Sequence, residues 1–134
     1  MKPGIVTLLV LFLALQLLPA ASAIAAQAER EPHPELLKYK PTGDVQHCIN
    51  RIRIRRAQVL DDYTILFHMT GGKIYKNELP YRCFGLGFEK AFGYTLTMSL
   101  LCDVDIITVL TISGLNTRCA LGDFEEVEKI EAGS

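Results

Sequence analysis

The residues of this 134-residue chain whose types could do chemistry are four cysteines, three histidines, two short acidic clusters and a row of arginines. Cys48, Cys83, Cys102 and Cys119 show no Cys-x-x-Cys spacing, so two disulfides are expected rather than a metal centre. If residues 113–116 form a hairpin turn, Leu110 faces Cys119. Cys102 is then about eight residues out of register with Cys119, roughly 27 Å at strand rise, which is beyond disulfide reach. A meander that sets the third strand beside the second disfavours Cys48 with Cys83. The expectation is the nested pairing, Cys48–Cys119 and Cys83–Cys102, with the crossed pairing as the remaining alternative.

His47 beside Cys48 has the composition of a thiol–imidazole dyad, but neighbours on an extended chain point to opposite faces. His68 sits on the polar side of a strand, and His33 lies between two prolines with no second ligand nearby. Asp61-Asp62 fits a turn, where the carboxylate accepts hydrogen bonds from the following backbone. Asp103 and Asp105 share a face at a strand entry, and calcium would need at least four further oxygens. No catalytic residue, metal or cofactor is expected. The charge cluster with a shape is Arg51, Arg53, Arg55 and Arg56, a stripe that could bind an acidic partner, a glycan, a lipid phosphate or the chain's own Glu125, Glu126 and Glu128. Its bland counterpart is a solvated edge guarded against strand-to-strand aggregation.

These residues need strands to position them. Residues 48–59 alternate with period two, isoleucines against arginines, and the parity switches after Arg55-Arg56 as a bulge would make it. Tyr63, Ile65, Phe67 and Met69 alternate again, and Leu66 on their polar side implies cover on both faces. Gly71-Gly72 supplies a hairpin. A two-residue loop would set Phe67 opposite Lys76, whereas a three-residue loop sets it opposite Tyr75 and is preferred because it keeps the aromatics on one face. Residues 73–79 return as a strand that Pro80 stops. A glycine-rich loop over 84–92, from Phe84 to Phe92, carries bulky aromatics with one helical turn at Glu89 to Phe92. Strands follow near 94–97, over 104–112 and after residue 117.

Before this lies an export pattern: Lys2, an apolar run over 5–18 ended by Pro19, and small residues at Ala21-Ser22-Ala23. Cleavage within 23–28 removes Lys2 and leaves 13 of the 14 Lys plus Arg against 15 Asp plus Glu, a charge of -2. That is no nucleic-acid footprint, and no transmembrane span would remain. About 110 residues bury a modest core, so disulfides made in an oxidising compartment suit such a domain. The division expected is 1–23 signal peptide, 24–47 flexible leader with at best one helical turn near 35–39, 48–127 β domain and 128–134 acidic tail.

Cys48-Ile49-Asn50, residues 59–67 (VLDDYTILF), Gly71-Gly72, Asn77-Glu78-Leu79-Pro80, Cys83, Leu101-Cys102-x-x-Asp105 and Cys119-x-Leu121-Gly122-x-Phe124 together resemble a family of small exported proteobacterial proteins known as a domain of unknown function. The resemblance implies the envelope of a Gram-negative bacterium, periplasmic or secreted, and brings no activity. The fold expected is mainly β, a small antiparallel sheet or partly closed barrel of five to six strands stapled by disulfides. The function expected is non-enzymatic binding of an envelope protein, glycan or anionic lipid. An enzyme inhibitor acting through the 84–92 loop is the alternative, and a small periplasmic enzyme a distant third.

Overall fold

Short alternating segments become ten strands in the computed structural model, which describes residues 30–95, 98–114 and 116–131. They are β1 (Tyr39–Gln46), β2 (Cys48–Asn50), β3 (Ile54–Val59), β4 (Thr64–Met69), β5 (Ile74–Glu78), β6 (Phe92–Tyr94), β7 (Leu100–Cys102), β8 (Ile106–Val109), β9 (Arg118–Ala120) and β10 (Phe124–Lys129). All pairing is antiparallel. The largest sheet has the order β1-β10-β5-β4-β3, β2 pairs with β7, and β6-β8-β9 form a third sheet. No sheet among them closes into a barrel. The mainly β, disulfide-stapled expectation holds, with more and shorter strands than five or six.

The β3-β4-β5 meander follows the expected register. The residue shift falls between Ile54 and Arg56, at the parity switch. Phe67 faces Tyr75 across the three-residue loop 70–72, where Gly71 and Gly72 take φ of 98° and 92°, a region that favours glycine. One face of β4 sends Ile65, Phe67 and Met69 into the main core with Tyr75, Leu86, Leu101, Ile107 and Phe124. Phe67 meets Phe124 and Phe92 edge-on at centroid distances of 5.6 and 6.3 Å. Leu66 does have cover on the opposite face: it is fully buried with Leu60 and Val127, and Leu36, Tyr39 and Ile74 pack against them.

Two of those covering residues correct the expectation of a flexible leader over 24–47. His33 caps a 3-10 turn, Pro34–Lys38, by accepting from the Glu35 amide, and the chain then runs into β1, whose first residue, Tyr39, packs with Leu36 over Leu66. The acidic tail is likewise shorter than 128–134 at its start, because β10 continues to Lys129 and lies between β1 and β5. The expected signal segment 1–23 lies outside the described residues.

The disulfides are crossed, Cys48–Cys102 and Cys83–Cys119, and not nested. Residues 48–59 are not one continuous strand. The Asn50 side chain accepts from the Ile52 amide and competes with the strand ladder, so a 3-10 turn over Arg51–Arg53 splits β2 from β3. β2 is thereby free to pair with β7, which puts Cys48 directly opposite Cys102. Across β8 and β9, Ile107, not Leu110, faces Cys119. Cys83 and Cys119 are both buried in the main core, where they bridge to each other.

The last strand is locked in place by Asn77. This residue of β5 is fully buried; its Oδ1 accepts from the Gly122 amide at 2.9 Å and its Nδ2 donates to the Gly122 carbonyl. A side chain at 122 would collide with the Glu78 carbonyl. Asn77→Leu strands two backbone groups and should cost about 2–4 kcal/mol, and Gly122→Ala should be comparably damaging; denaturant melts measure both. Non-reducing peptide mapping should recover Cys48 joined to Cys102. On loop entropy each bridge is worth about 4 kcal/mol.

Candidate functional site

The four arginines come from two adjoining elements. Arg51 and Arg53 belong to the 3-10 turn and Arg55 and Arg56 to β3, an edge strand of the large sheet. They are all exposed, as is Ile52 between the first two. The single-faced stripe expected from period two is therefore replaced by a tip and an edge. Arg56 faces His68 across the β3-β4 pair. Its Nη2 donates to Gln58 Oε1 at 3.3 Å and lies 3.2 Å from His68 Nε2, which is 3.1 Å from the same Gln58 oxygen. Burial, then the Arg56 charge, holds the His68 pKa below its ordinary value, so the neutral ring can accept from the guanidinium. Arg55, Arg56 and His68 border a concavity of about 420 Å³.

The carboxylates of β10 are paired with lysines. Glu125 pairs with Lys76 at 2.6 Å, Glu126 with Lys73 at 2.6 Å and Glu128 with Lys40 at 3.0 Å. The possibility that the chain's own acids neutralise the stripe is thus not realised. Among the described residues, none of Arg51, Arg53, Arg55 and Arg56 is ion-paired with a carboxylate.

A second cluster was missed from the sequence. His47 Nδ1 lies 2.9 Å from Asp103 Oδ2 and 3.0 Å from Asp123 Oδ1. These atoms offer one nitrogen and two oxygens within 4.8 Å, a donor set able to hold a divalent cation. Hydrogen bonds to Asp103 and then Asp123 raise the ring's pKa above its ordinary value. Signal for half of this existed. Residues next to a cross-strand pair are themselves opposed, so the Cys48–Cys102 bridge brings His47 beside Asp103, and the Asp103 amide indeed donates to the His47 carbonyl at 2.8 Å. Asp123 arrives on the Gly122 loop, which no spacing announces.

The remaining acids serve structure. Asp61 accepts from the Tyr63 amide at 2.7 Å, the turn role expected of it, and Asp105 accepts from the Cys102 amide at 2.6 Å. Asp62 takes the Arg82 Nε at 2.9 Å and the Gly87 amide at 2.8 Å, which fastens the 84–92 loop and its one helical turn, α1 (Leu86–Glu89). That turn comes earlier than the expected Glu89 to Phe92 because Phe92 already opens β6. Neither His47 nor His68 is hydrogen-bonded to a hydroxyl among the described residues, and all four thiols are in disulfides. No protein family, curated protein or solved structure matches the chain.

The two histidines should titrate in opposite directions from the ordinary value of about 6.5. His47, raised, favours the fold below that pH, and its contribution disappears as pH rises through its folded pKa. His68, lowered, has the reverse sign: the unfolded chain takes up its proton first, so the fold loses stability as pH falls below about 6.5. Imidazole NMR titration should show this split, and Asp103→Asn with Asp123→Asn should bring His47 back toward 6.5 without moving His68.

Proposed function

We propose that the chain is an exported, non-enzymatic binding domain of a Gram-negative envelope that holds a phosphate-bearing anionic partner on Arg51, Arg53, Arg55 and Arg56. The observation that carries the reading is the division of charge: lysines take the carboxylates of β10, while four exposed arginines on one tip and edge have no described acidic partner. Arginine suits the role because its planar fork pairs with phosphate oxygens in a bidentate manner and is less strongly hydrated than an ammonium. The export pattern of residues 1–23 and the two disulfides support an oxidising location, and among the described residues no helix is long and apolar enough to cross a membrane.

A second reading has its own observation. Phe84 and Phe88 are exposed on a loop that is anchored by Asp62 and by the Cys83–Cys119 bridge. Arg82 also stacks over the Phe84 ring, 4.7 Å from its centroid. A rigid loop presenting aromatics is what an inhibitor inserts into a target.

Retention on phosphocellulose separates the two. Arg51→Glu, Arg53→Glu and Arg55→Glu together should lower affinity by roughly 100-fold or more, at about 1 kcal/mol per basic residue. Lys40→Glu with Lys129→Glu should change it far less. Equal loss from both sets would reduce the arginines to bulk charge, and capture of a target abolished by Phe84→Ser with Phe88→Ser alone would favour the inhibitor.

A further inference from the structure

We infer that the arginine tip is a docking surface for an anionic phospholipid bilayer, with Ile52, Met98 and Leu100 as the apolar contact; this rests on the phosphate-binding reading and names its partner. Three large apolar side chains are exposed at this end: Ile52 at 74%, Met98 at 70% and Leu100 at 43%. The backbone brings them together. Leu100 of β7 faces Asn50 of β2, the Arg51 amide donates to the Ser99 carbonyl at 2.8 Å, and Ile52 follows in the same 3-10 turn. Arg51 and Arg53 flank Ile52 in sequence, and Arg55 and Arg56 continue along the edge.

Charge decides the occupant. The residues that meet here, 50–56 and 98–100, contain no Asp or Glu. A protein partner would suffice with apolar contact or with charge, and the four arginines would then need a matching acidic patch. A bilayer of acidic phospholipid offers both at once: phosphates at the level of the guanidinium groups and acyl chains beneath them for Ile52, Met98 and Leu100. Interfacial binding strength scales with buried apolar area together with attraction to anionic headgroups. Arginine stems also tolerate this position, lying along apolar surface with their heads among the phosphates. The tip is fixed for the task, because the Cys48–Cys102 bridge holds β2 against β7 immediately behind it.

Sedimentation of the exported chain with phosphatidylglycerol–phosphatidylcholine vesicles tests the assignment, alongside phosphocellulose retention. Wild type should bind in proportion to the acidic lipid fraction and leave pure phosphatidylcholine unbound. Ile52→Asn with Leu100→Asn should lower vesicle affinity at least about tenfold and leave phosphocellulose retention unchanged. The arginine triple substitution should lose both. Retention on phosphocellulose without vesicle binding would overturn the bilayer assignment and spare the phosphate reading; loss of neither in the arginine variant would overturn that reading as well. Concentration-dependent dimers that vanish on Ile52→Asn would give the apolar tip to a second copy of the chain instead. Near-ultraviolet circular dichroism of each variant confirms that it is folded.

Discussion

One buried amide governs the arrangement. Asn77 sits with its side chain wholly out of water and satisfies both its donor and its acceptor on a single residue, Gly122. The two hydrogen bonds imitate a rung of sheet where no strand partner is present, and they allow the chain to pass so near β5 that only glycine fits. An amide left without them would carry the full cost of burial. No buried side-chain polar atom among the described residues lacks a partner. From this point the chain enters β10, between β1 and β5, in the register that puts Phe124 beside Phe67 in the core.

The register also sorts the charges. Along β10, Glu125 is opposite Lys76 and Glu128 opposite Lys40, while Glu126 reaches Lys73. Lysine serves well as a flexible point charge in such pairs; Lys40–Glu128 is exposed and contributes little to stability, while Lys76–Glu125 is half-buried. Their consequence is one of allocation: the acids are occupied on the β1-β10-β5 side of the sheet, and the arginines at the β3 edge and its preceding turn have no carboxylate partner among the described residues. Asp123, on the same Gly122 loop, closes the His47–Asp103 cluster. A single close approach thus sets both the charge pairing along β10 and the third member of the His47 cluster.

Where local pattern was decisive, the sequence was readable. The Phe67–Tyr75 register followed from keeping aromatics on one face, the bulge from a change of parity, and the cover over Leu66 from a large apolar residue on a polar side. The source of that cover, Leu36 and Tyr39, was not legible, because a proline-bearing polar stretch gives no periodic signal and its strand exists only through pairing with β10. The disulfide partners failed for a related reason. A period-two run looks continuous even when one Asn side chain turns the backbone in its middle, and Asn50 does so. The arginines were found by residue type, but their arrangement as a tip and edge depended on that same unseen turn.

The anionic partner is proposed to meet the chain at residues 50–56 and 98–100 and not on the lysine side of the sheet. Titration of the isotopically labelled protein with short-chain phosphatidylglycerol, followed through backbone amide and arginine Nε–H resonances, addresses it directly. The account predicts shifts at Arg51, Ile52, Arg53, Arg55, Ser99 and Leu100 that saturate together, with Lys40, Lys73 and Lys76 unmoved. Shifts centred on those lysines, or none in the 50–56 turn at saturating lipid, would contradict it.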